Sequence, residues 1–327
     1  MTQAPTPTAD LVRGLVRSLL KDGTEGKDGT TGRGGTGAAG PDVRPVSPGG
    51  GCATWWVGGR HVLRLAPDRD ATVRQRRELR VRDLVRPHVA VAVPASVAHG
   101  EWAPGLSYTL DTKVPGGSAE ELDVTAVGEA DLAGLLTGLR QVPARQAEAL
   151  GVPRVPPRSL EALRRMAVHA ARQLGAADEF EPALLGQLTP PGAAQLAAQP
   201  GTAVLVHHRL TGGHLVVSAD GRVRGVLGWT GAALGDPAED IAGLALAVGS
   251  PTAVRAATLA GYGARPCLRG LWLARCDAVV RLAARLEDRD PTPPAVLRTR
   301  LRHAWEAILL ERVTELRGDG AGDHGDL

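Results

Sequence analysis

The residues whose types and spacing could do chemistry are concentrated in one segment, VLVHHRLTGGHLVVSADGRVRGVLGWTGAALGDPAEDIA, at residues 204–242. An arginine directed into a cleft can pair with phosphate oxygens, so Arg209 is a candidate anion-binding residue. The imidazole of His214 is a weak candidate metal ligand, and a neutral, hydrogen-bonded side chain is the favoured interpretation. His207 is expected to pack and form hydrogen bonds within the same loop.

Short elements must position these side chains. Apolar, β-branched runs predict strands at 204–206, 215–218 and 223–227. The Asp-Gly pair at 220–221 is a turn signal between the last two strands. Asp236 precedes Pro237, and capping of the helix that begins near Ala238 could be its whole role.

The rest of the chain divides into a β-rich part and a helical part. Residues 52–65 predict a hairpin around Gly58-Gly59, and residues 71–86 predict an arginine-rich helix followed by two short strands. After residues 116–117 the apolar period changes from 2 to 3.6. Helices are then predicted at 127–139, 159–174, 241–248, 252–261, 268–286 and 295–316. We therefore predict an α+β fold, with a small antiparallel β lobe over 48–116 and a larger, mainly helical lobe over 117–317.

The two ends of the chain differ from this central part. An apolar stripe at helical spacing predicts an N-terminal helix over residues 1–22. Residues 23–47 are rich in glycine and poor in large apolar groups, which is typical of a flexible linker. Residues 318–327 have a similar composition and are predicted to form a disordered tail.

Composition narrows the class of protein. The chain has 327 residues, of which 43% are hydrophobic and 22% charged, which is typical of a globular protein and enough for two hydrophobic cores. No apolar run reaches the ~18 residues of a membrane span, and no signal-peptide core is present, so we expect a cytoplasmic protein without a membrane partner. The net charge of +3 does not favour nucleic-acid binding. Three cysteines without a CxxC pair do not favour disulfides or a cysteine-rich zinc site.

The segment resembles the catalytic segment of the aminoglycoside and macrolide phosphotransferase family, which has a protein-kinase-like bilobal fold. The family pattern is V-H-G-D-L-x-x-x-N-x-L-V, followed by V-I-D-W and then G-D-P-x-x-D. This chain matches in register at Val206, His207, Leu210, Gly213, Leu215, Val217, Gly221, Val226, Trp229, Gly235, Asp236, Pro237 and Asp240. The resemblance extends over residues 49–316. It implies that Asp240 anchors the catalytic loop through backbone N–H groups.

The departures from the family pattern fall on the chemistry. Arg209 stands at the position of the general base, His208 at that of the preceding glycine, and Gly228 at that of the Mg²⁺-binding aspartate. His214 stands at the asparagine position, as in some family members, and residues 49–52 read Gly-Gly-Gly-Cys in the glycine-rich turn. A unit charge ~4 Å from a cation is worth ~4 kcal/mol at an effective dielectric constant of ~20. Replacing Asp by Arg changes the charge by two units, so the resemblance with these degenerate motifs argues against Mg²⁺ binding and turnover.

In the small lobe, the resemblance implies a nucleotide site. Arg64 stands where the family has its phosphate-pairing Lys or Arg, and Glu78 is its expected ion-pair partner. Asp111 and Lys113 lie in the expected hinge at residues 111–115, and they complete the predicted nucleotide-binding set. An ordinary surface ion pair, worth under ~1 kcal/mol, is the alternative interpretation of Arg64 and Glu78.

Three functional hypotheses follow. The first is a catalytically degenerate pseudokinase that binds ATP, GTP or another small anionic ligand. The second is an active ATP- or GTP-dependent phosphotransferase acting on a hydroxyl of an antibiotic or related small molecule. The third is a relic without function. If only the acids are missing, Arg209→Asp with Gly228→Asp should restore Mg²⁺-dependent nucleotide binding.

Overall fold

A computed structural model describes residues 6–22, 41–46, 52–199, 201 and 203–308. The chain divides into two compact units, a sheet unit of residues 1–83 and 93–114 and a helical unit of residues 84–92 and 115–327. The helical unit thus includes a short stretch, 84–92, that the sequence assigned to the small lobe. The predicted tail at 318–327, most of the predicted linker and the glycines at 49–51 lie outside the described residues.

The sheet unit contains a five-stranded antiparallel sheet with the strand order β1-β2-β3-β5-β4. Its strands are β1 (Val43–Pro45), β2 (Ala53–Val57), β3 (His61–Leu65), β4 (Ser96–Ala103) and β5 (Leu106–Thr112). Gly58 turns the predicted β2–β3 hairpin with a φ of 56°, a conformation in which glycine is favoured. The linker prediction for residues 23–47 is wrong at β1, because Val43 is buried and β1 pairs with the edge of β2.

Two helices of this unit cover opposite faces of the sheet. Leu63 and Leu65 of β3 belong to a buried apolar cluster with Val12 and Val16 of α1 (Ala9–Asp22). Arg64 lies between them in the strand and therefore faces the other way, towards α2 (Arg69–Val85). The face of the sheet towards α1 is apolar, whereas the face towards α2 carries buried polar groups.

The helices of the helical unit are α3 (Ala126–Gln141), α4 (Ala144–Ala149), α5 (Leu160–Ala176), α6 (Pro190–Gln195), α7 (Ala238–Val248), α8 (Ser250–Leu259), α9 (Ala264–Leu286) and α10 (Pro294–Ala304). The helix α9 packs against α5, α7 and α10, and α8 packs against α3 and α7. The predicted helix at 295–316 ends earlier than expected, at Ala304. The carbonyl oxygen of Ala304 accepts hydrogen bonds from the side chains of Ser250 and Arg275, which replace the backbone partner that a continuing helix would supply.

Two small sheets of the helical unit position the segment at 204–242. β7 (Val204–Val206) pairs with β10 (Ala233–Gly235), and β8 (Leu215–Val217) lies between β6 (Gly117–Ser118) and β9 (Val223–Val226). The strands β7, β8 and β9 correspond closely to those predicted from the sequence. Among the described residues, no helix is both long enough and apolar enough to cross a membrane.

Candidate functional site

Asp240 holds the start of the loop that follows β7. Its carboxylate is 1% exposed, and it accepts hydrogen bonds from the backbone N–H groups of His207 at 2.7 Å and His208 at 2.8 Å. This is the contact that the sequence predicted for Asp240. Burial raises the pKa of Asp240 to about 7, although the two backbone hydrogen bonds act in the opposite direction. The loop is therefore fixed by a buried acid from the first turn of α7.

His207 is a buried, neutral side chain. Its Nε2 lies 2.8 Å from the carbonyl oxygen of Leu227, and its ring packs edge-on against Trp229 with 4.7 Å between ring centroids. Burial, with a smaller contribution from His214, lowers the pKa of His207 to about 3. Because a neutral imidazole must donate from Nε2 to that carbonyl, Nδ1 carries the lone pair, and it has no partner among the described residues. His207 thus joins the loop to the end of β9.

The next two positions carry side chains where the family pattern has glycine and the base. His208 has a φ of 65°, a left-handed conformation that is uncommon for residues other than glycine. Arg209 is exposed, and its guanidinium has no hydrogen-bond or ion-pair partner among the described residues. A Cβ at Gly231 would lie 2.8 Å from Cδ of Arg209, so the absence of a side chain at Gly231 makes room for the arginine.

His214 and Gly228 share one space. A Cβ at Gly228 would lie 2.5 Å from both Cδ2 and Nε2 of His214, which is too close for non-bonded atoms, and Gly228 also has a φ of 77°. The His214 ring is held in place, because its Nδ1 lies 2.5 Å from the carbonyl oxygen of Arg209 and 3.1 Å from Oγ1 of Thr211. The imidazole therefore fills the volume that a larger residue at position 228 would need.

The residues of this loop do not fit a Mg²⁺ ion. Magnesium prefers oxygen ligands in near-octahedral geometry, and the loop offers a guanidinium at 209, an imidazole at 214 and no side chain at 228. Within the described ranges, no group of three or more His, Cys, Asp or Glu side chains is placed to hold a metal ion. The candidate ligand His214 therefore lacks the carboxylates that would complete a magnesium site.

Asp236 has two partners. Its Oδ1 accepts a hydrogen bond of 3.0 Å from the backbone N–H of Ala238, which is the helix-capping contact considered from the sequence. Its Oδ2 pairs with Nε of the buried Arg269 at 2.5 Å. Arg269 also donates to the carbonyl oxygens of Arg158 and Leu196, so this ion pair joins α7, α9 and the chain before α5.

The sheet unit brings Arg64, Glu78 and Asp111 together. Nη1 of Arg64 lies 3.0 Å from the carboxylate of Glu78, and Nε lies 3.2 Å from that of Asp111. The side chain of Glu78 is 1% exposed, so the pair is not the ordinary surface pair that the sequence left open. Burial alone would lower the pKa of Arg64, but the two carboxylates raise it above its ordinary value.

Two predicted nucleotide-binding residues have other contacts. Asp111 is buried, and its second oxygen pairs with Arg82 at 3.0 Å, so its carboxylate is occupied within the protein. The register of β5 directs the Asp111 side chain towards α2, and its place in the predicted nucleotide-binding set stays a prediction. Lys113 lies over the ring of Trp56, with Nζ 4.5 Å from the centroid.

An acidic cavity lies beside the loop at 207–214, and the sequence did not predict it. It has a volume of about 290 Å³ and is lined by Glu120, Glu121, Asp123, Arg300 and His303, among others. Gly212 of the loop also lines it, and a Cβ at Gly212 would lie 2.7 Å from Cγ of Glu120. The run of acids at 120–123 was the available signal. Its position beside the loop depends on β6 pairing with β8, which no local pattern indicates.

Comparisons with known proteins bear on the fold. The sequence profile of the phosphotransferase enzyme family matches residues 42–271. The GDP complex of wild-type aminoglycoside 2′-phosphotransferase-IIIa is similar, with a TM-score of 0.59, 17% identity, and coverage of 89% of this chain and 98% of that chain. The apoenzyme of a macrolide 2′-phosphotransferase from Brachybacterium faecium is similar with a TM-score of 0.54, 23% identity, and coverage of 83% and 96%. No curated protein sequence matches the chain. The predicted α+β, kinase-like fold is confirmed.

Proposed function

This chain belongs to the phosphotransferase enzyme family, and we propose that it is a member that binds a nucleotide or similar phosphate-bearing anion without Mg²⁺ and without catalytic turnover. It would bind a small-molecule ligand in the cytoplasm and would not bind nucleic acid. ATP and GTP are the candidate ligands, since similar structures are complexes with GDP or ATP.

The observation that carries this proposal is the contact between His214 and Gly228. A carboxylate at 228 would require both a left-handed backbone and the volume that the imidazole fills. The aspartate expected at position 228 is therefore absent, and the His214 imidazole occupies the space that its side chain would need. Without that acid, a bound phosphate would lack the cation that normally neutralises it.

Arg209 supports anion binding in place of the cation. It is exposed and lacks a partner among the described residues, and its aliphatic stem packs at Gly231. A guanidinium can form two parallel hydrogen bonds to phosphate oxygens. We propose that Arg209 pairs with the phosphate, and that Arg64 keeps its family position mainly through its ion pairs with Glu78 and Asp111.

Calorimetric titration of ATP and GTP tests the proposal, with Mg²⁺ and with chelator. We expect binding of similar affinity in both conditions and no release of ADP or GDP over time. Because a hydrogen bond to a charged group contributes ~1.5–3 kcal/mol, Arg209→Gln should weaken binding roughly tenfold to a hundredfold. Arg172→Gln removes another exposed arginine, outside the site, and should leave binding unchanged. Binding that requires Mg²⁺, or Mg²⁺-dependent turnover, would refute the proposal.

An active phosphotransferase is the second candidate, and the acidic cavity favours it. Glu120 pairs with Arg300 at 3.2 Å, and the carboxylates of Glu121 and Asp123 leave the lining with a negative charge that suits a small cationic molecule. A structurally similar phosphotransferase is known in complex with GDP and kanamycin. In this alternative, the acceptor hydroxyl of such a molecule would take the γ-phosphoryl group of ATP or GTP.

Product analysis separates the two candidates. Incubation with Mg²⁺, ATP or GTP, and a panel of aminoglycosides and macrolides should give no phosphorylated product if the first proposal is correct. If product forms, Glu121→Gln and Asp123→Asn should raise KM for a cationic acceptor, since they remove charge from the cavity wall. A chain that neither binds a nucleotide nor forms product would instead be a relic.

A further inference from the structure

A second cavity of about 340 Å³ lies in the helical unit, and its lining includes no residue of the loop at 207–214. Its walls come from the end of α3, the chain just before β7, the start of α7 and the first turn of α9. Much of this lining is apolar, with Ala203, Val204, Pro237 and Pro266 among its members. The volume lies within the range of roughly 300–1,000 Å³ that is usual for small-molecule sites.

The charged residues of this cavity are predominantly positive. Arg140, Arg265 and Arg269 line it, and Asp236 is the one acid among its lining residues. Asp236 is already paired with the buried Arg269, at 2.5 Å. That ion pair is part of the cavity wall. Because no other acid is among the lining residues, the charges of Arg140 and Arg265 are not neutralised there.

Neither of these two arginines has a carboxylate partner among the described residues. The guanidinium of Arg140 lies 5.2 Å from the ring centroid of Tyr262, which holds it beside the cavity. Arg265 donates one hydrogen bond of 3.1 Å from Nη2 to the carbonyl oxygen of Ala197, which leaves its other N–H groups available. The remaining donors of both side chains are therefore available to a ligand.

Two further features favour a negative ligand. Burial raises the pKa of Tyr262 to about 12, so its hydroxyl is protonated and able to donate a hydrogen bond at neutral pH. The first turn of α9, which contributes Arg265 to the cavity, has neither an acidic residue nor a side-chain cap. The dipole of α9 adds to the positive potential of the arginines.

We propose that this cavity binds a small organic anion, with Arg140 and Arg265 pairing with its carboxylate or phosphate group and its apolar body lying against Val204 and Pro237. The hydroxyl of Tyr262 supplies an additional hydrogen bond. This site is separate from the proposed nucleotide site at Arg209, and either can exist without the other.

The test is calorimetric titration of the full chain with benzoate, phenyl phosphate, inorganic phosphate and benzyl alcohol. Arg209→Gln serves as the background, so that phenyl phosphate is not bound at the proposed nucleotide site. We expect saturable 1:1 binding of benzoate or phenyl phosphate, and which of the two binds identifies the anionic group. Inorganic phosphate lacks the apolar body and benzyl alcohol lacks the charge, so both should bind at least about tenfold more weakly.

Matched double variants locate the binding. Arg140→Gln with Arg265→Gln should weaken the binding of the organic anion about tenfold or more, because it removes both charged partners. Arg145→Gln with Arg172→Gln removes the same charge from exposed positions outside the cavity, and should change the affinity less than about twofold. Circular dichroism checks that both variants are folded. The proposal is overturned if neither anion binds, if the first pair leaves the affinity unchanged, or if the two pairs weaken it equally.

Discussion

The sheet unit and the helical unit each contain one arginine for which the family resemblance predicts a role in phosphate binding, and the surroundings of the two arginines differ. Arg64 in the sheet unit is paired with two buried carboxylates, those of Glu78 and Asp111. Arg209 in the helical unit is exposed and has no partner among the described residues. The charge of Arg64 is thus neutralised by the fold itself, whereas that of Arg209 is not.

This difference separates stability from ligand binding. Removing one member of a buried ion pair leaves an uncompensated charge, so the interactions of Arg64 constrain the sequence whether or not a nucleotide binds. No such constraint acts on the side chain of Arg209. Gly231 leaves room for that side chain, and His214 contacts the backbone carbonyl oxygen of Arg209. An arginine at position 64 is therefore weak support for nucleotide binding, and Arg209 is the sharper test.

The largest expected effect is on the buried pairs of the sheet unit. Asp111→Ala should lower the free energy of unfolding by about 3–5 kcal/mol, because it leaves Arg82 and part of Arg64 without a counter-charge. Urea denaturation followed by circular dichroism measures the change. The matched control is Glu101→Ala, which breaks the exposed pair with Arg76 and should cost under about 1 kcal/mol. Equal losses in the two variants would show that burial of the Asp111 network does not matter.

The next effect tests the shared space at His214 and Gly228. Gly228→Ala should destabilise the protein by roughly 2–4 kcal/mol, combining the cost of a left-handed backbone with overpacking against the imidazole. In a His214→Ala background the overpacking disappears, and the cost should fall to roughly 1–2 kcal/mol. A double-mutant cycle on thermal or urea unfolding measures this coupling. Additive effects would mean that the two residues do not compete for space.

The same contact changes the expected route to repair. The sequence predicts that Arg209→Asp with Gly228→Asp restores Mg²⁺-dependent nucleotide binding. Because His214 fills the space at 228, we now expect that double variant to remain inactive, and the triple variant with His214→Asn to bind ATP in a Mg²⁺-dependent manner. Calorimetry with Mg²⁺ and with chelator decides between them. Recovery in the double variant would show that the imidazole moves aside easily.

A smaller effect is expected at the anchor of the loop. Asp240→Ala should lower the free energy of unfolding by about 1–3 kcal/mol, since it leaves the buried backbone N–H of His207 and the half-buried one of His208 without their acceptor. Asp240→Asn keeps one oxygen acceptor and should cost less. Amide hydrogen exchange should increase at residues 207 and 208 in the alanine variant. Unchanged exchange there would contradict the anchoring role.

The sequence predicted the parts of the molecule that local patterns specify. The strands β7, β8 and β9 have apolar β-branched runs and an Asp-Gly turn, and Asp240 was found through its motif spacing. It missed β1, because Val43 gains its strand structure only by pairing with β2 beside α1. It also missed the contact of His214 with Gly228, since steric occupancy depends on how two separate turns pack. The motif spacing in the sequence identified which residues share the site. It did not show that the His214 ring and a side chain at position 228 would compete for the same space.

The smallest effect, per unit of pH, compares two buried groups, His207 in the loop and Asp240 in α7, whose pKa values move in opposite directions on folding. The pKa of His207 falls from 6.5 to about 3 on folding, so the unfolded chain binds more protons between these values and His207 makes stability increase with pH. The pKa of Asp240 rises from 3.8 to about 7, so the folded state binds more protons there and Asp240 makes stability decrease with pH. Each contribution has a slope of at most about 1.4 kcal/mol per pH unit.

Between pH ~4 and 6.5 the contributions of His207 and Asp240 to the pH dependence of stability oppose each other. Single variants should therefore show a pH dependence that largely cancels in the unmodified protein. Relative to the unmodified protein, His207→Gln removes the first contribution, and its stability should fall as the pH rises from about 4 to 6.5. Asp240→Asn removes the second, and its stability should fall as the pH is lowered over the same range. Urea unfolding at several pH values gives both difference curves, in which the groups common to all proteins cancel. Difference curves of the same sign would show that at least one of these groups is not held in the charge state that its burial dictates, because burial alone favours the neutral form of both.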